Sequence, residues 1–209
     1  MNFIFLYPNR EIGTSVDDFI YFYKNVYYWR NKYYDEQCIF KLLNKNEELS
    51  DGDIKTVLSW KMGRSDIAVS NVNVDEIKTM VNDYKSQPNV RTYNLKTYIN
   101  FIKDIKEDNG NNIGMTYGTT LLYFASNGTY PIYDRFAAKA LDVLNGYVKY
   151  SDYSLSSFKQ YDNYVNIITE MFKDEYDNRF YDMEKWRAVD QALWAYGHCE
   201  FVRDANNVR

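Results

Sequence analysis

Residues 111–141, NNIGMTYGTTLLYFASNGTYPIYDRFAAKAL, decide how this chain is read. A polar turn over 106–112 (KEDNGNN) leads into Gly114, and a wholly apolar run, LLYFA at 121–125, follows. A segment apolar on every side predicts a helix buried centrally. Pro131 then holds Tyr130 extended and withholds one N–H. Asp134 precedes Ala137, Ala140, Leu141 and Leu144, which recur at helical spacing. The order is helix, glycine turn, helix, loop, and a helix opened by an aspartate. Free amides at the start of the second helix can receive an anion.

Outward from this stretch the periodicity is helical almost throughout. Thr14 or Ser15 caps a first helix with Asp17 and Asp18 in its first turn, and Phe19, Phe22, Val26 and Trp29 form its stripe. Asp51 or Asp53 opens another, with Ile54, Val57, Leu58 and Lys61 on one face and Gly63 as its stop. Asn73 caps a helix carrying Ile77, Met80 and Val81. Past Pro88 and Asn89 a long helix runs to about Ile105, with Tyr98, Phe101 and Ile102 at core spacing. Phe158, Tyr161, Val165, Ile168 and Phe172 mark one more. Asp182 caps the last, which aligns Trp186, Val189, Leu193 and Gly197. No convincing strand and no repeat is found. The expected fold is all-α, with about eight or nine helices in one domain over 1–209.

Composition narrows the function. The chain has 209 residues, 45% of them hydrophobic, enough for a real core. Its 22 Tyr and 12 Phe reflect codon bias more than stacking platforms. A net charge of −4 gives no whole-chain basic signal, which counts against tight non-specific DNA binding. It leaves room for an enzyme that grips few phosphates, partly through backbone amides. Cys38 and Cys199 lie in no metal spacing, and His198 is the one histidine. Disulfide scaffolds, four-cysteine clusters and multi-histidine zinc sites are excluded, so no metal and no cofactor is expected. No apolar run approaches the ~20 residues of a membrane span, and the N-terminus makes no signal peptide. A cytoplasmic monomer that engages no membrane is expected.

The turn and Asp134 together resemble the helix-hairpin-helix DNA glycosylases. In that superfamily a turn of the form apolar-Pro-Gly-Val-Gly joins two helices, and apolar-Pro-x-x-Asp or apolar-Pro-x-Asp follows. Here 111–114 (NNIG) stands for the turn and 130–134 (YPIYD) for the second element. The resemblance implies two lobes around a cleft, a helix-hairpin-helix at about 91–126 and a catalytic-aspartate helix at about 134–145. It implies that Gly110, Asn112, Gly114 and Thr116 hold DNA at a phosphate. Asp134 would stabilise the cation that develops on deoxyribose when the glycosidic bond breaks, or help activate the nucleophile. The alternatives are an ordinary αα-hairpin and a plain N-cap. Lyase-active members carry a lysine two positions after the last glycine of the turn. Thr116 stands there, which implies base removal without strand cleavage.

Two further segments, 57–64 (VLSWKMGR) and 186–198 (WRAVDQALWAYGH), are similar to small prokaryotic proteins of the 8-oxoguanine-glycosylase fold. Lys61 and Asp190 are charges on apolar stripes: paired, lining the cleft, or at a stripe's edge. Trp60, Trp186 and Trp194 are candidates to sandwich a flipped base, with core the commoner fate of helical tryptophans. With Lys61 and Asp190 they make up the expected base pocket. His198 reads as a helix C-terminal residue suited to the dipole. The resulting expectation is a monofunctional glycosylase that excises an oxidised purine or a hypermodified phage base, in repair or antiviral defence. The alternative is a non-catalytic DNA- or protein-binding module on the same fold.

Overall fold

The computed structural model describes residues 3–7, 10–31, 36–43, 47–62, 74–75, 78–79, 81–82, 98–99, 114–125, 130–144, 158–172 and 183–207. Those residues are predominantly helical, as the periodicity predicts. The helices with full bounds are α1 (Val16–Arg30), α2 (Glu36–Leu43), α3 (Asp51–Met62), α4 (Gly114–Ala125), α5 (Arg135–Leu144), α6 (Phe158–Met171) and α7 (Met183–Asn207). A strand-free chain is not what is found. Strands β1 (Phe3–Tyr7) and β2 (Arg10–Thr14) pair antiparallel, with Phe3 opposite Thr14 and Tyr7 opposite Arg10. The run FIFLY is β-branched and aromatic, and the pairing leaves only two residues between the strands.

The chain divides into two compact units. The first comprises Met1–Lys32, Tyr133–Ser154 and Asp162–Arg209, and the second Tyr33–Ile132 and Leu155–Tyr161. The chain passes between them several times, which is why no composition shift marks a boundary.

In the first unit α7 is the axis, and both α1 and α5 pack against it. Ser15 caps α1, its Oγ accepting the Asp18 N–H at 3.1 Å. The buried face of α1 is Val16, Phe19, Ile20 and Tyr27, rotated from the expected stripe. Phe22 and Trp29 are instead exposed. The partner helix makes the choice: Tyr196 of α7 meets Phe19 and Tyr23 edge-on, at ring separations of 5.5 and 5.1 Å. On α7 every residue from Ala188 to Leu193 is buried, so this stretch has no solvent-facing side, as a helix packed on more than one face requires. Gly197 explains how α5 approaches so closely. A Cβ there would lie 1.7 Å from the Phe136 carbonyl oxygen, so only glycine fits.

In the second unit α4 packs on both α2 and α3, which also touch each other. Leu121 and Leu122 are fully buried, so the apolar run is the central helix it promised. Ile54, Val57 and Leu58 of α3 are equally inaccessible, each worth roughly 1.5–3 kcal/mol of apolar burial. The cap of α3 is Ser50 rather than Asp51 or Asp53. Asp53 N–H donates to Ser50 Oγ (3.3 Å) and Ser50 N–H donates to Asp53 Oδ2 (2.8 Å). This is a reciprocal capping box with aspartate in the third position. Tyr98 Oη donates to the Gly118 carbonyl at 2.7 Å, fixing the 98–99 segment to α4. Tyr161 Oη likewise donates to the Pro131 carbonyl at 2.8 Å. Among the described residues no helix is long and apolar enough to cross a membrane.

Candidate functional site

Asp134 sits where the Pro-x-x-Asp pattern puts it, at the mouth of α5. Its Oδ1 accepts the Phe136 N–H at 2.8 Å, and its carbonyl accepts the Ala138 N–H at 2.9 Å. It is therefore the N-cap of α5, and its carboxylate is half-buried. An N-cap role and a chemical role are compatible, because one carboxylate oxygen suffices for the cap.

Asp134 acts electrostatically on His198 of α7, and the neighbours of that ring come from α1, α5 and α7. His198 of α7 packs its ring on Phe136 at 4.8 Å and on Trp194 at 5.2 Å. Trp194 in turn meets Phe136 and Tyr27 edge-on, at 5.6 and 5.4 Å. From α1, Arg30 Nη1 donates to His198 Nδ1 at 3.0 Å, with Nε2 farther at 3.5 Å. A guanidinium carries a positive charge and only donates, so its approach favours the neutral imidazole. The electrostatics agree. Burial first, then the charge of Arg30, and more weakly that of Arg135, hold His198 below its usual pKa. Asp134 and a backbone hydrogen bond oppose them. Arg135 places its guanidinium carbon 4.9 Å from the centre of the Phe136 ring. His198 does not end a helix, contrary to expectation, because α7 continues to Asn207.

A second cluster lies along the same helices. Arg187 and Asp190, one turn apart on α7, form a buried ion pair. Arg187 also donates to Tyr27 Oη at 2.9 Å and lies over the Tyr27 ring. Asp190 is thus a buried charge with its cation on its own helix, and it sits in the interior of α7.

The expected site residues separate as follows. Asp134, Asp190 and Trp194 belong to the first unit, Trp194 half-buried between Tyr27, Phe136 and His198. Trp60 and Lys61 are half-buried on α3 of the second unit. Gly114 is the first residue of α4, and Thr116 lies in its first turn. Gly110 and Asn112 lie outside the described residues, as do the side chains of Thr116 and Trp186. Arg30 and Phe136 went unnoticed in the sequence. Arg30 is a single charge on a helix, and nothing in its spacing distinguishes a surface arginine from one that meets a ring 168 residues away. Among the described residues no group of three or more His, Cys, Asp and Glu gathers to hold a metal ion. Comparison with known proteins finds no matching family model, no similar curated protein and no similar solved structure.

Proposed function

We propose that the chain is a monofunctional DNA glycosylase that excises a damaged or chemically modified base and leaves an abasic site. The observation that carries this reading is Asp134: a half-buried carboxylate, oriented by the Phe136 amide, at the mouth of α5 beside a neutral histidine. Breaking an N-glycosidic bond builds positive charge on the sugar. A carboxylate whose orientation is set in advance stabilises that charge without reorganising. The Pro131–Asp134 spacing and the resemblance in the flanking segments supply the reaction class. Thr116, in the lysine's slot, supplies the absence of lyase chemistry.

The test is incubation with duplexes carrying oxidised purines and with phage DNA carrying hypermodified bases. Alkali then reveals abasic sites. Excision that needs alkali to become a strand break, and that vanishes in Asp134→Asn, supports the reading. Asparagine preserves the cap acceptor, so the fold survives while the charge is lost. Equal excision by Asp134→Asn and the native chain sinks the role of Asp134.

The second reading is a non-catalytic binding module on the same helical fold. Its specific support is the outer face of α1, where Tyr21, Phe22, Tyr28 and Trp29 are all exposed. It predicts retained biological activity in Asp134→Asn.

A further inference from the structure

We propose that Arg30, His198 and Arg135 form a phosphodiester-binding subsite through which the first unit holds a DNA strand, with an adjacent base stacked on Trp29. The identity of the anion as DNA phosphate rests on the glycosylase reading; the existence of an anion subsite does not.

The first observation is unspent charge. Arg30 directs Nη1 to a neutral imidazole rather than to a carboxylate, and its side chain is exposed. Arg135, also exposed, lies on the Phe136 ring. Among the described residues neither arginine has an ion-pair partner. That is notable in a chain with 29 acidic against 25 basic residues. A guanidinium offers five donors in a planar fork suited to phosphate oxygens. Arg30 uses one of its nitrogens on His198, which leaves the others for an anion.

The second observation is that the parts are held before any ligand arrives. His198 ties Arg30 in place through Nδ1 and stacks on Phe136, and Phe136 supports Arg135. Arg30 thus reaches His198 from α1 directly, and Arg135 from α5 lies one ring away, over Phe136. Among the described residues, two guanidinia and one carboxylate, that of Asp134, act on the ring. An aspartate beside a phosphate subsite is also the order of groups that a nucleotide presents, sugar next to phosphate.

The third observation identifies the strand. Tyr28 and Trp29, which immediately precede Arg30, are 49% and 77% exposed. Exposed rings beside free guanidinia are the means by which proteins hold single-stranded DNA, bases on the rings and phosphates on the cations.

The experiment is fluorescence anisotropy of a short labelled single-stranded oligodeoxynucleotide, titrated with the full chain across a salt series. Arg30→Gln and Arg135→Gln are each expected to weaken binding about tenfold, the loss of one charge-assisted contact. Each also lowers the log–log salt slope by about one. Arg30→Lys keeps the slope, and Trp29→Leu weakens binding without changing it. Lys55→Gln and Lys159→Gln, exposed on α3 and α6, leave both unchanged. Thermal unfolding of each variant separates lost contacts from lost structure. No binding by the native chain at low ionic strength, or an unaltered slope in both folded arginine variants, overturns the subsite. Excision is not read in this assay. A chain that binds through these arginines yet excises nothing leaves the subsite standing and removes the glycosylase alone.

Discussion

Gly197→Ala should destabilise the protein although it improves the helix. Alanine in a helix interior is favoured over glycine by about 1 kcal/mol. The structure sets a larger opposing cost. The new Cβ would lie 1.7 Å from the Phe136 carbonyl oxygen and 2.6 Å from its carbon, both backbone atoms that cannot turn aside. Ordinary carbon–oxygen contact is about 3.3 Å, so α5 and α7 must part by roughly 1.5 Å. A gap of even 0.5–1 Å forfeits about a quarter to a half of the dispersion along a packed seam. The stacking of Phe136 on Trp194 and His198 lies on that seam. Overpacking costs about 1–3 kcal/mol, and a backbone clash belongs at the upper end. After the propensity gain, the net loss is about 2 kcal/mol. For a chain of this size that lowers Tm by roughly 4–8 °C. Gly52→Ala is the internal control. Its Cβ would meet only Ser50 Oγ, at 3.7 Å, on an exposed turn of α3. It should gain up to about 1 kcal/mol. Circular dichroism during heating, and separately in urea, reads both. A Gly197→Ala chain as stable as the native one would refute the close crossing of α5 and α7.

Other outcomes follow from the same contacts. Replacing Arg187 by Met or Asp190 by Leu strands a buried charge and should cost about 3–5 kcal/mol each in urea unfolding. The double variant should lose much less than the sum; additive losses would show that the two charges do not depend on each other. Ser50→Ala should lose about 1 kcal/mol by removing one arm of the capping box. No loss would mean Asp53 alone suffices. The pH dependence has a definite sign. The folded pKa of His198 is depressed, so its contribution to stability is complete above the unfolded value of about 6.5. It fades as pH falls through the folded value, because the unfolded chain then binds the extra proton. In His198→Gln the native-minus-variant stability difference should accordingly shrink with acid; a difference that grows would reverse the assignment of a neutral ring.

What the chain carries in its own residues is local. The α5 stripe, the apolar interior of α4, the Ile54–Val57–Leu58 face and the aspartate after Pro131 are all legible. Each depends on spacing within a few turns, and side-chain period and caps are short-range physics. The Ser15 cap of α1 is equally readable, and Ser50 was within reach, since Ser-x-x-Asp differs from the usual box by one methylene. The buried face of α1 was not legible. Aromatic residues populate both sides of that helix, so either stripe could have gone inward. Tyr196 and Trp194, far along the chain, select the face with Phe19 and Tyr27. The same tertiary event brings Arg30 to His198 and gives the one histidine a neutral ring rather than a place at a helix end. Asp134 was visible as a cap or a chemical group from four neighbouring residues. That it acts on a histidine held by Arg30 depends on three helices meeting, and Gly197 is the residue that lets two of them meet so closely. Local order comes from pattern, whereas the identity of a buried face and the charge of a group come from what packs against them.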